Sequence, residues 1–253
     1  PLTSDNLWQL EEQPDRLLVL GGGPIGSELA HAFARLGSQV TQVEMGERLL
    51  AKEDADVSEL VLKQFRADGV DVRLKHSAAE FRIEEGEKVA YCKHEGERVR
   101  IPFDQVLVAV GRAANTAGLN LERIGVETLP NGTVPVEEDM SLRYPNVFAC
   151  GDVAGPYQFT HAAAHQAWYA AVNGLFGQFK RFKVDYRVMP WVTFTSPEVA
   201  RVGLSEAEAK AKGVAYEVTR YGLDDLDRAI AESEDHGFIK VLTAPGKDKI
   251  LGA

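Results

Sequence analysis

Three glycines and one acid carry the first chemistry legible in this sequence. Gly21, Gly23 and Gly26 have the spacing G-x-G-x-x-G within the run Leu17-Leu18-Val19-Leu20-Gly21-Gly22-Gly23-Pro24-Ile25-Gly26-Ser27-Glu28. At this spacing the first glycine allows a tight turn, the second lets backbone come close to a pyrophosphate, and the third lets helix and strand pack closely. The free N–H groups and dipole of a helix start attract phosphate charge. Glycine turns are common, so the motif counts only between a strand and a helix and with an acid further on. Gln39 to Val43 reads as a second strand ending at Glu44, eighteen residues after Gly26. A carboxylate there accepts hydrogen bonds from both adenosine ribose hydroxyls and repels a 2′-phosphate, which favours NAD over NADP. Arg48 is nearby, but Glu47 stands beside it.

The surrounding elements have the required order. Leu17 to Leu20 is a short apolar run, as in a buried parallel strand, and Leu29, Ala30, Phe33, Ala34 and Leu36 recur at helical spacing up to a stop at Gly37. Asp54 to Ala67 is a second helix with Glu53, Asp54 and Asp56 at its start and Val57, Leu60, Val61 and Phe65 as its buried stripe. Val70 to Leu74 is a third strand. Strand and helix alternating with short links give an α/β, doubly wound nucleotide-binding domain over residues 16–114, after a connector at 1–15. Within it, short strands around Phe81–Ile83, Val89–Cys92 and Arg98–Ile101, separated by Glu-Gly turns, form an antiparallel meander. Asp104 to Val110 returns to the parallel sheet and closes with Gly111-Arg112.

The remainder reads as two further segments, 115–185 and 186–253. Val147 to Cys150 is an apolar strand ending in Gly151-Asp152, and Thr160 to Phe176 is an apolar helix with Thr160 able to cap it. Strands at 191–194 and 199–202 flank Ser196-Pro197. Ser205-Glu206-Ala207-Glu208 is a capping box that opens a short helix ended by Gly213. Strands at 215–221, 237–242 and from Ile250 make an α+β module, which reads as cut short at Ala253. The acids between Asp224 and Asp235 read as a solvated face.

Composition narrows the functional classes. A net charge of −10 argues against a nucleic-acid or anionic-membrane surface. No apolar run reaches the length of a membrane span. Two cysteines, Cys92 and Cys150, give no disulfide framework, and no leader is visible, so a cytoplasmic protein is expected. Both cysteines read as small apolar strand residues. His161 and His165 share a helix face, but no further ligand is placed by spacing, so no metal site is expected.

Four motifs in this order resemble the class I pyridine nucleotide–disulfide oxidoreductases, a family that includes dihydrolipoamide dehydrogenase and mercuric reductase. Leu17 to Glu28 resembles the family's second glycine motif. Val106-Leu107-Val108-Ala109-Val110-Gly111-Arg112 resembles the strand returning from the nucleotide domain. Ser141 through Phe148-Ala149-Cys150-Gly151-Asp152 is similar to the second flavin motif, and Phe194 through Gly203-Leu204 resembles the start of the dimerisation domain. The resemblance covers nearly the whole chain. It departs where the family has an earlier flavin domain with a C-x4-C redox pair and a final His-x4-Glu element, since neither is found here.

The resemblance implies site residues. Gly21, Gly22, Gly23, Pro24, Ile25, Gly26 and Glu44 would hold NAD, with Glu28 directed toward the nicotinamide, Gly111 beside it and Ser77 flanking the adenosine. Read on its own, Glu28 is equally a glutamate favoured by the helix dipole. Asp152 would accept a hydrogen bond from a ribityl hydroxyl of FAD, with Gly151, Gln158, Phe159, Thr160 and His161 close to the flavin and the helix start stabilising the reduced ring. The expected activity is hydride transfer between NAD(H) and FAD, onward to a disulfide or similar acceptor, in a homodimeric parent. This segment alone is expected to bind NAD(H) without turnover. A transhydrogenase without redox cysteines, or a non-catalytic nucleotide-sensing module, is the alternative.

Overall fold

In the computed structural model, which describes residues 1–253, the apolar run becomes β1 (Arg16–Leu20), with its last four residues all buried. Burial on both faces is what a central parallel strand requires. It leads into α1 (Pro24–Arg35), β2 (Gln39–Val43), α2 (Ala55–Ala67) and β3 (Asp71–Arg73). Next come β4 (Ser77–Glu84), β5 (Glu87–His94), β6 (Glu97–Phe103) and β7 (Gln105–Val108). One parallel sheet has the order β3-β2-β1-β7, with Leu17 level with Val40 on one side and Gln105 on the other. Leu17, Val19, Ala30, Val40, Val61 and Phe65 belong to the core that joins this sheet to its helices. The opening stretch read as a connector supplies Leu2, which is buried and bridges the free edge of β7 at Leu107.

One helix start differs from the sequence reading. Helix α1 begins at Pro24, earlier than the apolar spacing shows, because proline at the first helical position is already set for the turn. Glu28 therefore lies in the second turn, where the pull of the dipole is weaker. The meander strands run longer than their apolar cores. The sheet β4-β5-β6 turns at Glu85-Gly86 and Glu95-Gly96, where all four residues have left-handed backbone (φ 51°, 88°, 49° and 88°). Two such residues in succession suit a tight hairpin.

Two compact units are present. One comprises Pro1–Gly111 with Pro190–Ala253, the other Arg112–Met189. In the second unit, α3 (Thr160–Phe176) has the expected span, but its N-cap is Phe159 and no side chain caps it. Thr160 is thus the first helical residue and cannot serve as the cap. The expected strand at 147–150 is not formed. Phe148 makes one isolated bridge with Ser141, so the apolar run has no ladder to extend along.

The first unit resumes with β8 (Pro190–Thr193), β9 (Val199–Val202), α4 (Glu206–Ala211), β10 (Glu217–Gly222), α5 (Asp227–Ala231), β11 (Phe238–Thr243) and β12 (Ile250–Gly252). The capping box is present, with Ser205 accepting from the Glu208 N–H. The acidic stretch read as a featureless solvated face contains α5, with Asp227 in its first turn. Acids also bind this part to α2. Asp54 is the N-cap residue of α2, yet its carboxylate accepts the N–H groups of Glu206 and Ala207, both at 3.1 Å. Lys240 Nζ lies 2.8 Å from Asp54, 3.0 Å from Asp56 and 3.2 Å from Glu206. Beside them Glu53 accepts from the Trp191 indole at 2.9 Å and pairs with buried Arg201 at 3.3 Å. The acids expected to serve the α2 dipole thus spend most of their hydrogen bonds on the module that follows residue 189.

Burial opposes the charge on Lys240, but its three carboxylates outweigh that and hold the ammonium up to about 12. Burial likewise opposes the Asp54 charge, but Lys240 and the two amides outweigh it and keep the carboxyl below its ordinary value. A lowered carboxyl contributes stability that is complete above its unfolded pKa, about 3.9, and lost as pH falls from there through the folded value. Replacing Lys240 by Met leaves nearly buried Asp54 and the part-exposed Asp56 and Glu206 without their cation and should cost about 2 kcal/mol at neutral pH in urea titrations. The gap between K240M and the unaltered chain should narrow below about pH 4 as the acids protonate.

Candidate functional site

The turn between β1 and α1 is built on close backbone contacts. Gly21 has φ +110°, and a Cβ there would lie 2.3 Å from the Ala109 carbonyl oxygen. A Cβ on Gly26 would lie 2.2 Å from the Gly21 oxygen. These two glycines fit the roles of tight turn and close packing. Around Gly23 a Cβ would meet nothing within 4 Å, so this backbone faces open space. Buried Gln42 holds the turn from below, donating from Nε2 to the Gly21 carbonyl at 3.0 Å and to the Ser27 hydroxyl at 3.3 Å. Pro24 and the exposed Ile25 open the helix above it.

Glu44 sits at the end of β2 with its carboxylate across this turn. Oε2 accepts the Gly22 N–H at 2.6 Å and Oε1 accepts the Gly46 N–H at 2.5 Å. Such bonds to a charged acceptor are shorter and stronger than neutral ones. The acid backbone is fixed too: its N–H donates to the Arg73 carbonyl at 2.9 Å, and its carbonyl accepts the His76 N–H at 3.0 Å. Ser77 follows His76 directly and opens β4, so it is joined to Glu44 through the backbone. Arg48 turns to the Ala51 carbonyl at 3.1 Å.

Other candidates stand apart from this pair. Glu28 Oε1 accepts the Phe194 N–H at 2.8 Å, tying α1 to the end of β8. One turn on, His31 Nδ1 accepts the Ser196 N–H at 3.3 Å, and its Nε2 donates to Asp68 at 2.6 Å. Gly111, at φ +145°, has open space where a side chain would stand.

The flavin candidates lie in the unit 112–189. The loop from Gly151 to Gly155 is held by one fully buried side chain on α3. Gln166 accepts the Gly151 N–H at 2.6 Å and donates to the Gly155 carbonyl at 2.6 Å. Asp152, on this loop, accepts from Arg112 at 2.5 Å, and Arg112 also donates to the Gln158 carbonyl at 3.2 Å. The rings of Phe159 and His161 stack at 5.3 Å, and Thr160 begins the helix between them. His165 turns to the Asp185 carbonyl at 3.0 Å.

Residues 1–167 match the family model for pyridine nucleotide-disulphide oxidoreductases, and residues 189–253 match that family's dimerisation domain. The chain belongs to this family. It is 34% identical over its whole length to a dihydrolipoyl dehydrogenase of Chlamydia muridarum, covering 53% of that protein. It is 35% identical to a mercuric reductase of Streptomyces lividans, covering 52% of it. Among solved structures, the HOCl-induced flavoprotein disulfide reductase RclA from Escherichia coli superposes with a TM-score of 0.87 at 29% identity, over 99% of this chain and 57% of that one. The chain thus spans about half the length of the relatives it matches. No helix is long and apolar enough to cross a membrane.

Within this member of the family, three contributors escape the sequence reading. Gly46 acts through its amide, and the lack of a side chain lets the Glu44 carboxylate come close to it, but a lone loop glycine does not announce that role in sequence. Gln166 is visible in hindsight as an amide inside an apolar helix, whereas Gln42 lies in a strand that is itself mostly polar (Gln39-Val40-Thr41-Gln42-Val43) and so carries no such signal. Buried amides need partners, and here the partners are the two loops.

The glycine geometry separates folding from site. Gly26→Ala should lower stability by about 1–3 kcal/mol in thermal melts, as an overpacked contact does. Gly23→Ala should melt like the unaltered chain.

Proposed function

We propose that this chain is the nicotinamide-nucleotide half of a flavoprotein oxidoreductase and binds NAD(H) between the Gly21–Gly26 turn and Glu44. The observation that carries the reading is the Glu44 carboxylate, fixed beside the turn at the end of β2 by two amides. A carboxylate has about four acceptor sites, so after these two bonds it can still accept from ribose hydroxyls. Its charge opposes a 2′-phosphate. The open backbone at Gly23 and the N–H groups at the start of α1 then take the pyrophosphate, with Pro24 and Ile25 beside it. Ser77 borders the adenosine end. Glu28 and Gly111 lie toward the nicotinamide.

The residues for FAD are Gly151, Asp152, Gln158, Phe159, Thr160 and His161, with Asp152 set by Arg112 and its loop set by Gln166. They fit the flavin in part, since they are one segment of a site whose other half is not among these residues. The flavin supplies hydride exchange with the nicotinamide and electron delivery to a disulfide or similar acceptor. What the chain itself does is bind, orient and tune charge. Burial pushes the Cys92 thiol up, which makes it a poor nucleophile. This supports an acceptor site elsewhere in the parent and a chain that by itself has no disulfide reductase activity, while the partial set of flavin residues supports little bound flavin. The match at 189–253 supports a homodimeric parent, and composition supports a cytoplasmic one.

Calorimetric titration tests the reading. The chain should bind NADH, and NADPH at least about tenfold more weakly, a difference of about 1.4 kcal/mol. Gly23→Ala, folded but with a methyl group over the phosphate path, should lose at least about tenfold in NADH affinity. A chain without heat on NADH addition, or one that prefers NADPH, contradicts the proposal.

A further inference from the structure

Glu44 has a less expected property than its position. Its carboxylate is gripped from two loops, one before α1 and one after β2, with a separate donor on each oxygen. The donors are themselves anchored on their far sides. The Gly22 carbonyl accepts the Leu50 N–H at 2.8 Å, and the Gly46 carbonyl accepts the Lys75 N–H at 2.9 Å. Neither donor has room for a side chain. A Cβ on Gly22 would lie 2.9 Å from Glu44 Cγ and Oε2, and one on Gly46 would lie 3.0 Å from Oε1. The nearby cations are engaged elsewhere: Lys75 with Glu47 at 3.1 Å, and Arg48 with the Ala51 carbonyl.

We propose that the amides of Gly22 and Gly46 form a two-donor anion seat that the chain fills with its own carboxylate. Occupation of this seat, more than the charge at position 44, sets the choice between plain and 2′-phosphorylated dinucleotides. The inference rests on the NAD(H) reading above and assigns specificity to two backbone groups that a residue-type argument does not reach. Converging backbone N–H groups of this kind take phosphate and other anions when nothing else fills them. While Glu44 sits there, no second anion can enter.

The seat makes an unusual demand on variants. In Glu44→Gln only one oxygen remains, so one of the two N–H groups faces the side-chain NH2, donor against donor. That variant removes the charge yet keeps the seat blocked and badly filled. In Glu44→Ala the seat is empty, and both N–H groups lie free for a phosphate oxygen. If charge alone governed the choice, the two variants would behave alike.

The test is calorimetry of the unaltered chain, E44A and E44Q with NADH and NADPH, alongside thermal melts with and without inorganic phosphate. E44S stands in should E44A not fold. E44Q should lose at least about tenfold in NADH affinity and gain nothing for NADPH. E44A should prefer NADPH to NADH by about tenfold or more, and phosphate should raise its melting temperature above any rise in the unaltered chain. Equal NADPH affinity in E44Q and E44A, or equal phosphate stabilisation of E44A and the unaltered chain, overturns the inference. Should the unaltered chain bind neither dinucleotide, the NAD(H) reading fails on its own. The phosphate melts then decide about the seat, since they need no dinucleotide.

Discussion

At the end of β2 one carboxylate accepts an N–H group from each of two loops, and the parallel sheet with its adjoining loops is arranged to make that possible. Glu44 must arrive at the carboxyl end of a strand next to β1, because only there does it face the turn leading into α1. β2 must pair with β1 in register, so that the turn after Leu20 comes beside the acid. The loop after β2 must fold back so that Gly46 supplies the second donor and Leu50 secures the first loop. Buried Leu49 and Leu50 give that loop an apolar reason to return. The short charge-assisted bonds then fix the carboxylate without help from a neighbouring cation.

The same physical device recurs in the other unit. There a neutral buried amide, Gln166, ties both ends of the Gly151–Gly155 loop to α3. Backbone bonds close the loop on itself, with Ala154 and Gly155 N–H groups donating to the Gly151 carbonyl, but the preceding residues 147–150 have only one bridge to anchor it. The buried glutamine adds the tie to α3. Leaving either loop group unpaired would cost the desolvation of a buried polar group, about 1–3 kcal/mol. At the α2 junction, by contrast, the fixing groups are charged. Asp54 serves as a cap for α4 rather than for its own helix, and Lys240 balances the three acids gathered there.

What could be read in the sequence was whatever local physics decides. The glycine spacing, the apolar run before it, the span of the helix from Thr160 and the Ser205–Glu208 capping box depend on residues close together, and each is present in the structure. The strand expected at 147–150 failed because an apolar run needs a pairing partner, which only the tertiary arrangement supplies. Helix α5 was hidden by the acids around it. Glu44 was legible as an acid at the end of the second strand. That both of its oxygens are already held was not, since only the tertiary arrangement brings the two glycine amides to the acid. For the same reason the sequence offers Glu28 only a nicotinamide or a helix dipole and Asp54 only its own helix, while in the structure both accept from backbone of the module after residue 189.

The central claim concerns two N–H groups, and amide exchange followed by nuclear magnetic resonance on the nucleotide-free chain tests it most directly. The Gly22 and Gly46 amides should exchange slowly, and both should speed up in E44A while core amides of β1 stay protected. If these two amides exchange as fast as those of an open loop in the unaltered chain, the carboxylate does not hold them, and the account of this site is wrong.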